Sequence, residues 1–427
     1  MKPILIAIQG KGLQNALRRF WSIASRYGLT ARKMDQALAR YRNVLAKYSC
    51  GASFPITAAA LARSKGVIEK YQTQNIEFAV HGFYHIDHSI MAFSQQISDF
   101  TKARQLFGNR GIISSGFRSP YLRFHKNTLD AVSKTGFIYD SSSSLSWDVL
   151  NGAETPSYQR VLEFFNTQSA ELFPALPRIE NGIVEIPYCL PDDESLIERL
   201  NFENKNDFTL PWIKILDITY NEGELFTLGL HPERIYHCEE ILHQVLDRAT
   251  NLNPKVWIAR MDEIAQWWLQ RSQLKPLILS TKPGEYSIKV QRIHGLTVLC
   301  RNVDLLTPFK KWDENYRVAQ GNTILLRSSL RPFIGISPES DPALESFLHQ
   351  TGYIVETTPT PHSHSIVLDY PTFSREQEKP LLRQLESLDK PLVRFGRWPN
   401  ESKSALSITG DIDALTIWDY LLRIWRK

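Results

Sequence analysis

Short apolar segments alternate with helical segments along most of this chain, and several of the apolar segments end directly in a polar side chain. Ile76–Val80 leads into His81, and Leu225–Leu230 leads into His231. A helical pattern follows each of these pairs. Buried strands that alternate with helices predict a parallel sheet, and functional side chains in such folds follow the carboxyl ends of the strands. The sequence therefore predicts an α/β fold, a distorted parallel (β/α) barrel.

The pattern changes along the chain and divides it into three parts. Residues 1–272 carry the alternating units. Residues 273–400 are predicted to form an accessory region, which is β-rich at first and then a small α/β segment. Residues 401–427 carry one more strand, Leu406–Thr409, and a helix from Thr416 onward.

Composition and charge narrow the class of protein. The chain has 427 residues, of which 43% are hydrophobic, which is enough for two or three globular cores. The formal net charge of +5 comes from scattered Lys and Arg, so we do not expect nucleic-acid binding. The four cysteines are far apart and are expected to be reduced thiols. The first apolar run is too short for a signal peptide, and no run is long enough for a transmembrane helix. We expect a cytoplasmic protein, with association to a membrane surface left open.

Two pairs of residues have the spacing of metal ligands. His81 and His85 are four residues apart, which places them on one face of a helical turn. Asp411 and Asp413 have one residue between them and would point to the same side of a strand. Two imidazoles and one carboxylate are a ligand set for a hydrolytic Zn²⁺ that keeps one position open, with one carboxylate to spare. Since the two pairs lie at opposite ends of the sequence, the chain must close on itself to build such a site.

The carboxylate pair also has a structural interpretation. Asp411 and Asp413 precede a predicted helix, and Asp is a good N-cap. Gly410 directly before them indicates a close approach of two backbones at the end of a strand. That feature favours a functional site over a helix cap.

Two further motifs supply groups for acid–base chemistry. Arg118 begins an Arg-Ser-Pro-Tyr string that ends at Tyr121, and an arginine beside a carboxylate holds it ionised. Alone, the same arginine is equally consistent with an ordinary surface turn. His231 at the end of a predicted strand is well placed for a general acid at the mouth of a barrel.

Together these motifs resemble the metal-dependent polysaccharide deacetylases, carbohydrate esterase family four. The resemblance implies that Asp411 is the general base and Asp413 a metal ligand. It implies that Arg118 braces the base, that the backbone N–H of Tyr121 binds the oxyanion, and that His231 is the general acid. By the same resemblance the other two metal ligands are His81 and His85.

The family's fourth motif is less well matched. It corresponds to the segment from Asp140 to Trp147 and Asp148, which has Trp-Asp where Asp-Trp is commoner. We expect the substrate to be contacted by these three residues and by Pro120.

The order of the motifs differs from that of the family, which normally begins with the Asp strand. A circular permutation explains the difference: the first barrel strand and its helix would lie in 401–427 and complete the barrel of 1–272. Permutation is tolerated where the natural termini lie close together at the surface. A competing explanation is that 404–427 opens a second, truncated deacetylase unit.

The resemblance implies a hydrolase that uses a divalent metal, Zn²⁺ above all, to remove an acetyl group from an N-acetylated or O-acetylated sugar or polysaccharide. Two alternatives stay open. One is a deacylase of a small cytosolic or lipid-linked amide. The other is a non-catalytic glycan-binding protein on a degenerate barrel of the same kind.

Overall fold

The computed structural model describes residues 27–202, 205–291, 293–359 and 363–419. The first apolar run of the chain and the part of the predicted helix beyond Asp419 lie outside the described residues. Nine helices of the first part of the described chain are α1 Arg32–Lys47, α2 Ala58–Arg63, α3 Lys65–Gln72, α4 Phe93–Asn109, α5 Lys126–Lys134, α6 Pro156–Phe164, α7 Lys205–Glu222, α8 Ile235–Thr250 and α9 Met261–Ser272.

The strands of the first part, together with the last strand of the chain, form one large sheet. They are β1 Ala52–Ile56, β2 Ile76–Val80, β3 Gly116–Phe117, β4 Tyr139–Asp140, β5 Ser144–Ser146, β6 Gln168–Ser169, β7 Arg178–Glu180, β8 Ile183–Glu185, β9 Tyr188–Leu190, β10 Leu225–Gly229, β11 Val256–Ile258 and β23 Ser404–Thr409.

This twelve-stranded sheet has the order β6-β5-β9-β10-β23-β1-β2-β3-β4-β8-β7, and β11 pairs with β23 beside β1. All pairs are parallel except β7 with β8. The sheet curls into a half-barrel of mixed α/β type. The predicted fold, a distorted parallel barrel, is confirmed.

The last strand of the chain lies at the centre of this sheet. β23 pairs with β10 over five positions, from Ala405 opposite Leu225 to Thr409 opposite Gly229. On its other side its first half pairs with β11, and Thr409 pairs with Ser53 of β1. Every residue of β23 is buried, as expected for a central parallel strand covered on both faces. The strand therefore fills the space between two strands that lie far from it in sequence.

Gly410 is required where β23 ends. A Cβ added at this position would lie 2.0 Å from the carbonyl oxygen of Leu230, which follows β10. The N–H of Leu230 donates to the carbonyl oxygen of Thr409 at 2.7 Å, so the two backbones are in direct contact here. The close approach predicted from the sequence at Gly410 is present.

The accessory region forms three small sheets and two helices. Its strands are β12 Leu277–Lys282, β13 Glu285–Lys289, β14 Val298–Arg301, β15 Asp304–Leu305, β16 Phe309–Lys311, β17 Arg317–Ala319, β18 Thr323–Arg327, β19 Arg331–Ile336, β20 Val355–Thr357, β21 His364–Leu368 and β22 Leu392–Phe395. The helices are α10 Pro342–Gln350 and α11 Glu378–Ser387. The sheets have the orders β12-β13-β18-β15, β16-β17-β14-β22 and β20-β19-β21.

The accessory region shares a hydrophobic core with the barrel. Trp268 of α9 packs with Trp398, at 5.4 Å between ring centroids, and Leu225, Ile334 and Leu382 belong to the same buried cluster. Burial of large apolar side chains from both sides stabilises the contact. The accessory region is therefore packed firmly against the barrel and does not hang on a flexible linker.

The predictions about membrane-spanning helices and about cysteines can be compared with the described residues. None of the helices that the structure describes is long and apolar enough to cross a membrane. The four cysteines, Cys50, Cys189, Cys238 and Cys300, are all buried as free thiols.

Candidate active site

The polar residues predicted as a site lie together at the carboxyl edge of the sheet. His81 follows β2, Arg118 follows β3, His231 follows β10 and Asp411 follows β23. Because these strands are parallel and close to one another in the sheet, their carboxyl ends meet at one edge. The structure brings carboxylates from the end of the chain to imidazoles from its first quarter.

His81, His85 and Asp413 form a group that can hold one metal ion. Nε2 of His85 lies 3.1 Å from Oδ1 of Asp413, and Nε2 of His81 lies 3.6 Å from the same oxygen. Nε2 of His81 is also 3.6 Å from Oδ2 of Asp411. The ligand atoms of the three-residue group are all within 4.8 Å of one another.

The state of the His81 ring supports a metal at this place. Its Nδ1 donates to the carbonyl oxygen of Arg118 at 2.8 Å, which leaves a lone pair on Nε2. This Nε2 is fully buried and has no hydrogen-bond partner among the residues described here. A buried acceptor that faces carboxylates is costly unless a cation lies between them. The donor set, two imidazoles and a carboxylate, fits Zn²⁺ or a similar divalent ion.

Arg118 holds Asp411 in place. Nη1 of this fully buried arginine donates to Oδ1 of Asp411 at 2.8 Å and to Oγ1 of Thr409 at 3.1 Å. Its Nε and Nη2 are fixed by the backbone and the hydroxyl of Ser141. Burial alone would raise the pKa of Asp411, but the positive charges around it, with those of Arg118 and His231 among them, outweigh burial and hold this pKa below its usual value. Asp411 is therefore an ionised carboxylate with one oxygen fixed.

The pair does not act as a helix cap. The helical turn at 417–419 begins at Thr416, whose Oγ1 accepts the backbone N–H of Asp419. Asp411 accepts from Arg118, and Asp413 contacts His85.

Tyr121 lies in a strained turn at the rim of the group. Its backbone has φ 61° and ψ 14°, in the left-handed region, and Leu122 follows with φ 52°. Such a conformation costs roughly 1–2 kcal/mol for a residue with a large side chain, and it persists where the surroundings enforce it. The ring of Tyr121 packs edge-on against His85, with 4.3 Å between centroids. The strain and the contact fix the turn beside the proposed metal ligands.

The sequence did not reveal the partner of His231. Nδ1 of His231 donates to Oδ1 of Asp193 at 2.6 Å, and its backbone N–H donates to Oδ2 at 2.9 Å. Burial alone would lower the pKa of His231, but the charge and the hydrogen bond of Asp193 raise it well above its usual value. The ring is therefore held in its protonated form, with Nδ1 occupied. The available signal was the Asp192-Asp193 pair directly after the apolar run that became β9.

A cavity of about 250 Å³ opens over this group. Asp411, Asp413, His85 and His231 all line it. Its lining also includes apolar side chains (Leu122, Val161, Phe164 and Phe165) and charged ones (Glu194, Glu198, Arg199, Glu233 and Arg234). Aromatic and charged side chains in one cavity suit a ligand with an apolar face and several hydroxyls.

The four residues predicted to contact substrate are not among those that line this cavity. Pro120 is buried and begins the turn that holds Tyr121. Trp147 is buried beneath the ammonium group of Lys379, 5.1 Å from its ring centre, and Asp148 is exposed outside the cavity. Their role in binding substrate stays a prediction.

Asp140 supports the site from behind. Its two oxygens accept the N–H and the hydroxyl of Ser142, and Oγ of Ser142 accepts the N–H of Ser119 in the Arg118 loop. Burial, with a smaller contribution from Glu185, raises the pKa of Asp140 to about 7. The contacts place Asp140 among the groups that fix the loop.

The part of the chain that supplies the imidazoles and the bracing arginine matches a known family model. Residues 32–139 match the model described as polysaccharide deacetylase. The matched stretch supplies β1 to β3 and the start of β4 of the large sheet and is the deacetylase-like part of the domain. The match covers His81, His85, Arg118, Pro120 and Tyr121, and the site residues from Asp140 onward lie outside it.

Among curated proteins, the chain is similar to the peptidoglycan deacetylase-like protein FGM2 of Gibberella zeae. The two are 25% identical over 215 residues, which are 45% of this chain and 63% of the relative. The chain thus matches less than two thirds of the length of that relative.

Solved structures with a similar fold include a probable polysaccharide deacetylase from Pseudomonas aeruginosa PAO1, with 22% identity and a TM-score of 0.44 over 55% of this chain and 73% of the other. A family-four carbohydrate esterase from Streptomyces lividans has 15% identity and a TM-score of 0.25, over 35% and 71%. A family-four pseudoenzyme from Bacillus anthracis has 9% identity and a TM-score of 0.29, over 54% and 61%. At these scores the likeness carries no argument about activity.

Proposed function

We propose that this chain is a metal-dependent hydrolase that removes an acetyl group from an N-acetylated or O-acetylated sugar. The observation that supports this most directly is the hydrogen bond from Arg118 to Asp411, which joins the deacetylase domain to a strand 293 residues later. This bond and the ligand contacts bring two imidazoles, two carboxylates, a bracing arginine and a paired histidine together at one edge of the sheet. A non-catalytic glycan-binding protein would have no need of this complete set.

His81, His85 and Asp413 would hold the metal, and Zn²⁺ suits these ligands. When bound, such an ion supplies Lewis acidity to the acetyl carbonyl and to the attacking water.

Asp411 is proposed as the general base. Its pKa lies below the usual value, so it is ionised at neutral pH and can accept a proton from water. Since Arg118 fixes Oδ1, the other oxygen, Oδ2, is the one available to face the water.

His231 is proposed as the general acid. Asp193 keeps the ring protonated and occupies Nδ1, so Nε2 is the nitrogen that would give its proton to the departing amine or alcohol. The N–H of Tyr121 is proposed as a donor to the oxyanion, because the strained turn fixes it beside His85.

We also propose that the chain order is a circular permutation of the deacetylase domain. The support is the position of β23 between β10 and β1, with its carboxylates among the ligands from the domain. A truncated second unit would have no reason to place this strand inside the first sheet.

The experiment that tests the proposal measures bound metal and acetate release together. Wild-type protein should bind about one divalent ion per chain and release acetate from at least one member of a panel of chitin oligomers, peptidoglycan fragments, and nucleotide- or lipid-linked N-acetyl sugars. Asp413→Ala should lose the metal and lose almost all acetate release, because one of three ligands is gone. Asp217→Asn is the matched control, since Asp217 pairs with Arg248 and is not among the residues that line the cavity.

Full metal and full activity in Asp413→Ala would refute the role of β23. A protein that binds metal and releases acetate from small amides, but from none of the sugars, is a different outcome. That result would show that its substrate is a small amide.

A further inference from the structure

A second cavity, of about 280 Å³, lies where the barrel meets the accessory region. Its walls include Glu222 and Glu224 just before β10, and Ser402 and Lys403 just before β23. None of its lining residues lines the cavity over the deacetylase site. Because His231 and Asp411 follow the other ends of the same two strands, the two cavities lie at opposite ends of β10 and β23.

The lining of the second cavity is rich in cations. Five basic side chains line it, and they are Lys379, Arg383, Arg394, Arg397 and Lys403. The lining carboxylates are fewer, and they are Glu222, Glu224, Asp313 and Glu386.

These carboxylates are already engaged. Glu222 lies 2.8 Å from Lys379 and 2.6 Å from Arg383, and Glu224 lies 3.3 Å from Lys379. Glu386 is 3.3 Å from Nε of Arg394. Asp313 is 3.9 Å from Lys403, so the four carboxylates are shared among Lys379, Arg383, Arg394 and Lys403.

Arg397 has unused hydrogen-bond donors beside the cavity. It is 5% exposed, and its Nη1 donates to the backbone carbonyls of Glu222 and Gly223. Among the described residues no carboxylate lies within ion-pair distance of it, although the charge of Glu386 acts on it from farther away, and its Nε and Nη2 have no hydrogen-bond partner. Buried guanidinium N–H groups without an acceptor are unfavourable, so a chain that retains them beside a cavity is prepared for an anion.

Two neighbours also favour an anion here: Arg271 adds positive charge, and Ser402 adds a hydroxyl donor. Arg271 is fully buried behind the cavity; burial first, and then the charges of Arg397 and Arg394, lower its pKa to about 9. Ser402, which is 3% exposed, lines the cavity with a hydroxyl that finds no partner within the described residues. A hydroxyl and a guanidinium are donors that an oxyanion accepts well.

We propose that this second cavity is a binding site for a small ligand that carries a phosphate or carboxylate group. The volume is below the usual range of pockets for drug-sized molecules, so the ligand has about the size of one sugar ring with its anionic group. The rings of Trp312 and Tyr316 also line the cavity and offer a surface for the ring of such a ligand.

The test uses the full chain and two kinds of binding measurement, thermal unfolding and titration calorimetry. The probes are inorganic phosphate, glucose 6-phosphate and glucuronate, with glucose at equal ionic strength as the neutral control. We expect a saturable rise in Tm with at least one of the three anions and none with glucose, because a ligand that binds only the folded state stabilises it. Phosphate-bearing and carboxylate-bearing probes separate the two sources of the anionic group.

Variants locate the binding. Arg397→Gln should weaken binding of the active probe at least tenfold, and Lys403→Gln, at the half-buried edge, should weaken it several-fold. Arg42→Gln changes an exposed arginine on α1 and should leave binding unchanged. Asp413→Ala should also retain binding, which shows that the anion does not bind at the metal ligands.

Thermal unfolding without ligand shows whether each variant folds. If Arg397→Gln does not fold, the affinity of Lys403→Gln decides whether the anion binds in this cavity. Absence of saturable binding of all three anions by the wild type would overturn the proposal. Unchanged affinity in both folded variants, or binding that disappears in Asp413→Ala, would overturn it as well.

Discussion

The two cavities at the opposite ends of β10 and β23 are built on contrasting electrostatics. At the carboxyl end, Asp411 is matched by Arg118, and His231 is matched by Asp193. At the amino end, Nε and Nη2 of Arg397 have no hydrogen-bond partner in the residues that the structure describes. One pair of strands can therefore carry two different sites. Paired charges fix the protonation states at one end, and basic side chains outnumber carboxylates at the other. Substitutions at the first end should change chemistry, and those at the second should change ligand binding and stability.

The largest effect is expected for Asp411→Asn. The amide keeps the size of the carboxylate but cannot accept the proton, so kcat should fall by about 10²–10⁴ while the bound metal stays. Metal analysis and acetate release on the same preparation check both parts. Loss of the metal in this variant would mean that Asp411 is a ligand, and the contrast in roles with Asp413 would be wrong.

A smaller effect on rate is expected for Asp193→Asn. Without the carboxylate, the raised pKa of His231 should fall, so the protonated acid form is lost at lower pH. The basic limb of the kcat/KM profile should shift to lower pH, with a drop of about ten- to a hundredfold at alkaline pH. A profile that matches the wild type at every pH would show that Asp193 does not set the pKa of the proposed acid, His231.

The smallest effect on acetate release is expected at Glu77, a buried carboxyl that lines neither cavity. Burial, and then the charge of Asp262, raise the pKa of Glu77 from 4.5 to about 8. Because the folded state binds this proton more tightly than the unfolded state, Glu77 contributes stability at low pH that is lost as pH rises from 4.5 through about 8.

Glu77→Gln should remove this dependence. Relative to wild type, the free energy of unfolding of the variant should rise by about 4 kcal/mol between pH 5 and pH 9, since the extra proton is bound over about three pH units at ~1.4 kcal/mol each. Denaturant unfolding at both pH values measures the difference. Parallel curves for the two proteins would show that Glu77 does not govern the alkaline loss of stability. Acetate release at neutral pH should be nearly unchanged, unlike that of the two variants at the carboxyl end.

Much of the site was predictable because the strands that deliver it are ordinary apolar runs. Ile76–Val80 before His81 and the run that ends at Thr409 before Asp411 are visible in the sequence as buried strands. The alternating pattern was sufficient for the fold class, and the accessory region has the predicted strand-helix order after 332.

Other parts depend on contacts that a local pattern does not encode. β9 has only three residues, too few for a periodicity, and so Asp193 had no predicted strand to follow. Trp147 was predicted to contact substrate from motif similarity. Its position beneath Lys379 depends on the accessory region folding back onto the barrel. Arg397 looks like any other arginine in sequence, and only the structure shows that two of its nitrogens lack an acceptor.

The central place of β23 has a consequence for how the protein is made. A ribosome adds about 5–20 residues per second, so the aspartates appear some tens of seconds after the histidines have emerged. From the time β10 has been made until β23 follows, β10 and β1 would border an empty slot, with unpaired backbone groups on both sides. A nascent chain would thus hold neither the proposed cation nor a closed sheet until β23 arrives, so the proposed catalytic competence and protection from misassembly would begin with the same event.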